Sequence, residues 1–147
     1  MQASNILVVE DFEPFRRVIC SRLRRRPAFQ TSETSDGLEA VRAVRIAQRL
    51  QPDLLVLDIG LPNLNGIEVC KCARSLAPAA NILFVNQEHS ADTVQEAFNR
   101  GACGYVQKLY AESELFYSVD IVLNGKHFIG SGLLGVPPSN GCNSVKK

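Results

Sequence analysis

Glu10-Asp11, Asp58, Asn86 and Lys108 each stand directly after a short strand-like run in this 147-residue sequence. The runs are residues 6–9, 54–57, 82–85 and 104–107. If each run is a strand of one parallel sheet, all five side chains reach the carboxyl edge, where such sheets place their chemistry. Three carboxylates gathered there repel one another unless a cation intervenes, and an all-oxygen donor set with open water positions suits Mg²⁺. Such a pocket can clamp a phosphoryl group, with Lys108 pairing one oxygen while a carboxylate held in line with phosphorus acts as nucleophile. Asp58 is the candidate nucleophile because it ends the middle strand. The turn over residues 60–66, with Gly60, Pro62 and Gly66, supplies backbone groups around it.

The elements that must position these residues are legible in the pattern. Runs 6–9, 54–57 and 82–85 are apolar throughout rather than alternating, which predicts strands buried on both faces. Weaker strands are expected around 29–33 and 104–107. Between them the apolar residues recur at helical spacing. Pro14 opens a helix with Phe15, Val18, Ile19 and Leu23; Ser35 or Asp36 caps a second with Leu38, Val41, Val44 and Ala47, ended near Gln51 by Pro52. Residues 65–76 form a third, Ser90 or Asp92 opens a fourth closed by Gly101, and a fifth carries Leu115, Val119 and Val122 before Gly125. Strand and helix alternate five times, which predicts an α/β doubly wound parallel sheet with right-handed crossovers.

The segments Val9-Glu10-Asp11, Leu57-Asp58-Ile59-Gly60-Leu61-Pro62 with Asn65-Gly66, and Gly101-Ala102 leading to Gly104-Tyr105-Val106-Gln107-Lys108 resemble the receiver domain of bacterial two-component response regulators. The resemblance covers about residues 4–128. It implies a flavodoxin-like (βα)₅ sheet of strand order 2-1-3-4-5. It further implies that Asp58 accepts a phosphoryl group from a histidine kinase or phosphotransfer protein. Glu10, Asp11, Asp58 and the Gly60 carbonyl would hold Mg²⁺, Lys108 would contact the phosphoryl group, and Asn86 and Tyr105 would stand at the switch positions. Residues 122–126 are similar to receivers that precede a helix-turn-helix output in LuxR-like transcription factors. Residues 129–147 read as a flexible C-terminal tail or a truncated linker, too short for that output domain.

Three positions depart from the family's pattern. Asn86 replaces the usual Ser or Thr, Gln87 stands where a small residue is preferred and narrows access to Asp58, and Leu109 replaces the proline that follows the lysine. A cis Lys108–Leu109 bond would cost about 2.5–4 kcal/mol, which leaves open a trans bond with a shifted loop or a strained one. The expectation is that phosphorylation survives and the coupling of Asn86 to Tyr105 is altered. Two other readings stand beside it. One is a receiver-like interaction module that works without phosphate; the other is a Mg²⁺-dependent aspartyl-phosphate phosphohydrolase, disfavoured because Gly60 occupies the place of its second Asp. The protein is therefore expected not to be an enzyme.

Composition narrows the class further. Sixteen Lys and Arg balance fifteen Asp and Glu, leaving a formal charge of +1, too even for a whole-surface polyanion binder. Six arginines crowd residues 16–26, yet a solvated face or a kinase-docking surface explains them better than nucleic acid, which is not expected to bind without a separate output domain. No run approaches the roughly 20 apolar residues of a membrane span. Five cysteines in no framework spacing predict reduced thiols and a cytoplasmic location, with no membrane partner and a homodimer left open. Residues 130–135 match G-x-G-x-x-G, but no strand precedes them and prolines follow, so a dinucleotide site is rejected. His89 and His127 lack metal-ligand spacing and are read as ordinary surface or packing residues.

Overall fold

The computed structural model describes residues 3–34, 45, 48, 51–60, 66–87 and 89–133. Six strands, β1 (Ser4–Val9), β2 (Phe29–Thr34), β3 (Leu54–Leu57), β4 (Asn81–Asn86), β5 (Gly104–Gln107) and β6 (Phe128–Ile129), form one sheet in the order β2-β1-β3-β4-β5-β6. Every pairing is parallel. The described helices are α1 (Glu13–Leu23), α2 (Gly66–Leu76), α3 (Ala91–Asn99) and α4 (Ala111–Leu123), with a 3₁₀ turn at Lys108–Tyr110. The helix expected to carry Leu38, Val41, Val44 and Ala47 lies outside the described residues, as do residues 61–65 and 134–147.

The apolar runs of β1, β3 and β4 are buried on both sides because the strand period of two sends alternate residues to opposite layers. Leu7, Val9, Leu55, Leu57, Ile82, Phe84 and Tyr105 meet α2 and α3 through Val69, Ala73, Val94 and Phe98. Ile6, Val8, Leu54, Val56, Leu83, Val85 and Val106 meet α1 and α4 through Ile19, Leu23, Leu115 and Val119. The flavodoxin-like expectation holds, extended by one strand. β6 was not expected, because two apolar residues after a helix carry no strand signal of their own. The proposed boundary at 128/129 therefore falls inside β6, and Leu133 beyond it is 4% exposed and part of the core.

Helix ends follow local chemistry. Pro14 occupies the first turn of α1, where its missing N–H costs no hydrogen bond. The Ser90 hydroxyl accepts from the Thr93 amide at the start of α3, and Gly101 leaves that helix at φ +106°. The arginines of α1 and of the turn after it are mostly paired inside the chain: Arg16 and Arg24 with Glu33, Arg17 with Glu13, Arg22 with Glu112, Arg26 with Asp120. The half-buried Arg22 runs its aliphatic stem past the core to its partner on α4. Cys20 and Cys70 are buried free thiols, pushed up to about 11 by burial, and Cys72 is free. Cys103 is disulfide-bonded, a correction to the expectation of five reduced thiols.

Candidate functional site

The parallel register brings the ends of β1, β3, β4 and β5 to one edge. The Asp58 amide donates to the Val9 carbonyl at 3.0 Å, so the nucleophile candidate follows β3 as a continuation of its ladder with β1. Glu10 continues the other ladder of β1, its amide donating to the Thr34 carbonyl at 3.1 Å. Both side chains are buried, whereas Asp11 is exposed at the mouth. Carboxylate oxygens of Glu10, Asp11 and Asp58 lie within 4.8 Å of one another.

Lys108 Nζ sits between two of these groups, donating to Glu10 Oε1 at 2.9 Å and to Asp58 Oδ2 at 3.3 Å. It also lies over the Phe15 ring, 5.0 Å from the centroid, an attraction between cation and ring quadrupole. The Gly60 amide donates to Asp58 Oδ1 at 3.0 Å, and the Phe12 amide to Glu10 Oε2 at 3.1 Å. Burial pushes the Glu10 carboxyl up to about 7, with Asp58 adding to the rise and Lys108 opposing it. Burial alone would lower the Lys108 ammonium. The facing carboxylates outweigh that and hold it above the usual lysine value. These are the properties of a site short of one positive charge: hard oxygen donors, one of them held near its neutral form.

Asn86 and Tyr105 come together as well. Asn86 Nδ2 donates to the Tyr105 hydroxyl at 3.1 Å, with both side chains buried. The pairing of Phe84 with Tyr105 and of Asn86 with Gln107 makes the contact a diagonal across β4 and β5, on one face of the sheet. The amide at this position therefore meets the aromatic. The described residues contain no cis peptide, so the Lys108–Leu109 bond is trans; Leu109 heads the exposed side of the 3₁₀ turn at 81% exposure. Gln87, Asn86, Gly60 and His89 line the open cleft of about 780 Å³ over Asp58, together with Phe12, Phe15 and Lys108.

The structure brings together the charged residues that the sequence pattern groups, Glu10, Asp11, Asp58 and Lys108, but that pattern passes over Phe15 and His89. Phe15 was read as part of an apolar stripe, and nothing in its spacing marks a ring beneath a lysine 93 positions away. His89 stands on the cleft rather than on an indifferent surface. Its place three residues past Asn86 was the available signal.

Fold and edge together define a flavodoxin-like α/β protein whose acidic pocket is built from strand ends. The family model for the response regulator receiver domain matches residues 6–120, and the chain belongs to that family. It resembles the DNA-binding response regulator MtrA of Mycolicibacterium smegmatis, at 34% identity over 75% of this chain and 46% of the relative. It also resembles the transcriptional regulatory protein DegU of Brevibacillus brevis, at 26% identity over 84% of this chain and 52% of the relative. The chain thus spans about half the length of these curated relatives. Among solved structures, a LuxR-family two-component response regulator from Aurantimonas superposes with a TM-score of 0.82 at 28% identity, covering 92% of this chain and 95% of that one. The response regulator domain of Thermotoga maritima CheB gives 0.72 at 29% identity, covering 84% and 98%. No helix among the described residues is long and apolar enough to cross a membrane.

Proposed function

We propose that the chain is a phosphorylatable signalling module in which Asp58 takes a phosphoryl group from the phosphohistidine of a kinase or phosphotransfer protein. The observation that carries this reading is the Lys108 ammonium shared between Glu10 and Asp58, inside a set of carboxylate oxygens within 4.8 Å. That donor set fits Mg²⁺: three carboxylates of hard oxygen, one exposed toward water, with the Gly60 carbonyl as a further donor. When bound, the ion supplies charge neutralisation for the phosphoryl oxygens.

The chain's own residues do the rest. The Gly60 amide on Oδ1 and Lys108 on Oδ2 orient the Asp58 carboxylate, whose oxygen attacks phosphorus. The O–P bond forms as the P–N bond of the phosphohistidine breaks, and its electron pair returns to the imidazole. Lys108 then follows the charge onto a phosphoryl oxygen, and the second N–H of the Asn86 amide offers a further donor. The product is a modified protein rather than a released metabolite, so the chain is a relay and not a turnover enzyme. The signal passes on through altered protein contacts in the cytoplasm, with a second copy of the chain as one candidate partner. DNA binding, the activity for which MtrA is named, would belong to a separate output domain.

The test is incubation of wild type and Asp58→Ala with Mg²⁺ and a small phosphodonor, followed by intact mass and oligomeric state. Wild type is expected to gain the mass of one phosphoryl group in an acid-labile adduct. No adduct, or an equal adduct on Asp58→Ala, ends this reading.

A further inference from the structure

Arg16 is the least exposed arginine of the ion pairs on α1, and it faces the acidic edge. Its Nη1 donates to the Glu10 carbonyl at 2.8 Å, while its Nε donates to Glu33 Oε1 at 3.0 Å. Glu33, near the end of β2, is held in turn by Arg24 at 3.1 Å, and Arg24 also donates to the Thr31 carbonyl at 3.2 Å. The Arg16 side chain is 15% exposed, whereas that of its neighbour Arg17, paired with Glu13, is 74% exposed. A merely solubilising arginine has no reason to be desolvated so far or to reach for a main-chain oxygen.

The bond has a particular mechanical consequence. The Glu10 carbonyl and the Asp11 amide belong to one planar peptide unit, so a donor that fixes the carbonyl fixes the plane from which the Asp11 Cα departs. The other end of Glu10 is already fixed by its amide on Thr34 and its carboxylate between Phe12 and Lys108. Asp11 itself is exposed and lies only one residue from the first buried carboxylate. We infer that Arg16 is a positioning residue for the acidic pocket: by clamping the Glu10–Asp11 peptide plane against Glu33, it sets the spacing of the carboxylates that receive a divalent cation.

The inference rests on the reading that the pocket binds such a cation. Glu33 has a second part in it, because a bare guanidinium beside a dication would repel it. Burial alone would raise the Glu33 carboxyl; the Arg16 and Arg24 guanidiniums outweigh that and hold it below the usual value, so the neutralising charge is retained. Lysine in place of arginine has one ammonium to serve two acceptors lying in different directions, and keeps the carbonyl or the carboxylate but not both.

Calorimetric titration of the whole chain with MgCl₂ tests this, with thermal melts in EDTA run on the same samples. Arg16→Met is expected to weaken Mg²⁺ binding about tenfold, in the range seen when groups behind metal ligands are removed. Arg16→Lys should fall between Arg16→Met and wild type, and Arg17→Met should stay within about twofold of wild type as the exposed-arginine control. A folded Arg16→Met that binds Mg²⁺ within about twofold of wild type overturns the inference, and if that variant does not fold, an Arg16→Lys with unchanged affinity does so. Weakened binding in Arg17→Met equal to that in Arg16→Met also overturns it, since charge alone would then be the cause. Wild type that takes up no Mg²⁺ ends the underlying reading and this one together, an outcome separate from all the others.

Discussion

The Lys108 ammonium lies 2.9 Å from Glu10 Oε1, inside a pocket that pushes the Glu10 carboxyl up to about 7. A carboxyl whose folded value stands above its unfolded one binds more protons folded than unfolded between about 4.5 and 7, so its contribution to stability is lost as pH rises through that window. Lys108 is raised as well, but from 10.5, so it stays charged throughout. In EDTA, the Tm of wild type is therefore expected to fall relative to that of Glu10→Gln between pH 5 and 7.5, by a few degrees. Mg²⁺ should restore more of it at pH 7.5 than at pH 5, because the ion binds the ionised carboxylate. The comparison with Glu10→Gln cancels the titrating groups outside the pocket, and parallel pH profiles for the two proteins would show that Glu10 is not desolvated as described.

Gly66 opens α2 against the backbone that carries Asp58. A Cβ built there meets the Asp58 carbonyl at 2.6 Å and the Ile59 Cα at 2.9 Å, whereas one at Gly60 meets only Asp58 Oδ1 at 3.8 Å. Backbone cannot step aside as a flexible side chain does. Gly66→Ala is thus expected to cost about 1–3 kcal/mol in urea unfolding and to weaken Mg²⁺ binding, because it displaces Asp58. Gly60→Ala should change stability by less than about 0.5 kcal/mol. Equal stability losses in the two variants would contradict the packing around Asp58.

Asn86 and Tyr105 form a buried hydrogen bond across β4 and β5. Removing the amide withdraws a donor from a hydroxyl whose side chain is fully buried, which costs about 1–3 kcal/mol, more than a neutral exchange of both partners would. Asn86→Ala and Tyr105→Phe, singly and together, are expected to show a coupling energy of about 1 kcal/mol in denaturant melts. Additive losses would mean that the two side chains are neighbours without a bond. The family's smaller hydroxyl residue at this position would leave more room, so Asn86→Ser should bind the phosphoryl mimic beryllofluoride at least as well as wild type.

What could be read in the sequence and what could not divide along one physical line. Strands β1, β3 and β4 were legible because two-sided burial leaves apolar runs without alternation, and Glu10, Asp11, Asp58 and Lys108 were legible because each ends a strand that the parallel topology aligns. The helix ends at Ser90 and Gly101 carry their own cap chemistry. By contrast, the Arg16 clamp uses a residue type and spacing that also describe a solvated helix face, and only the burial of the guanidinium separates the two. β6 is likewise invisible, since its two residues gain order from the edge of β5 rather than from any pattern of their own. The Asn86–Tyr105 contact depends on the register between two strands, which a sequence position does not contain.

The segment after β6 offers the last measurable consequence. Gly130 donates to the Tyr105 carbonyl at 2.9 Å, Gln107 donates to the Ser131 carbonyl at 3.0 Å, and the Ser131 amide donates to the Glu114 carboxylate at 3.1 Å. Leu133 then enters the same core cluster as Phe84 and Tyr105. A strap tied by three such bonds and one buried leucine behaves as part of the domain, so the folded unit extends past residue 129 to at least Leu133. Leu133→Ala is expected to cost about 2 kcal/mol in urea unfolding, the low end for a buried leucine because the site lies near the edge of the core. Hydrogen exchange should also slow at the Gly130 amide relative to an unprotected chain, and speed up in the variant. If Leu133→Ala leaves the midpoint and slope of unfolding unchanged, the strap contributes nothing and the domain ends where the fifth β/α unit does.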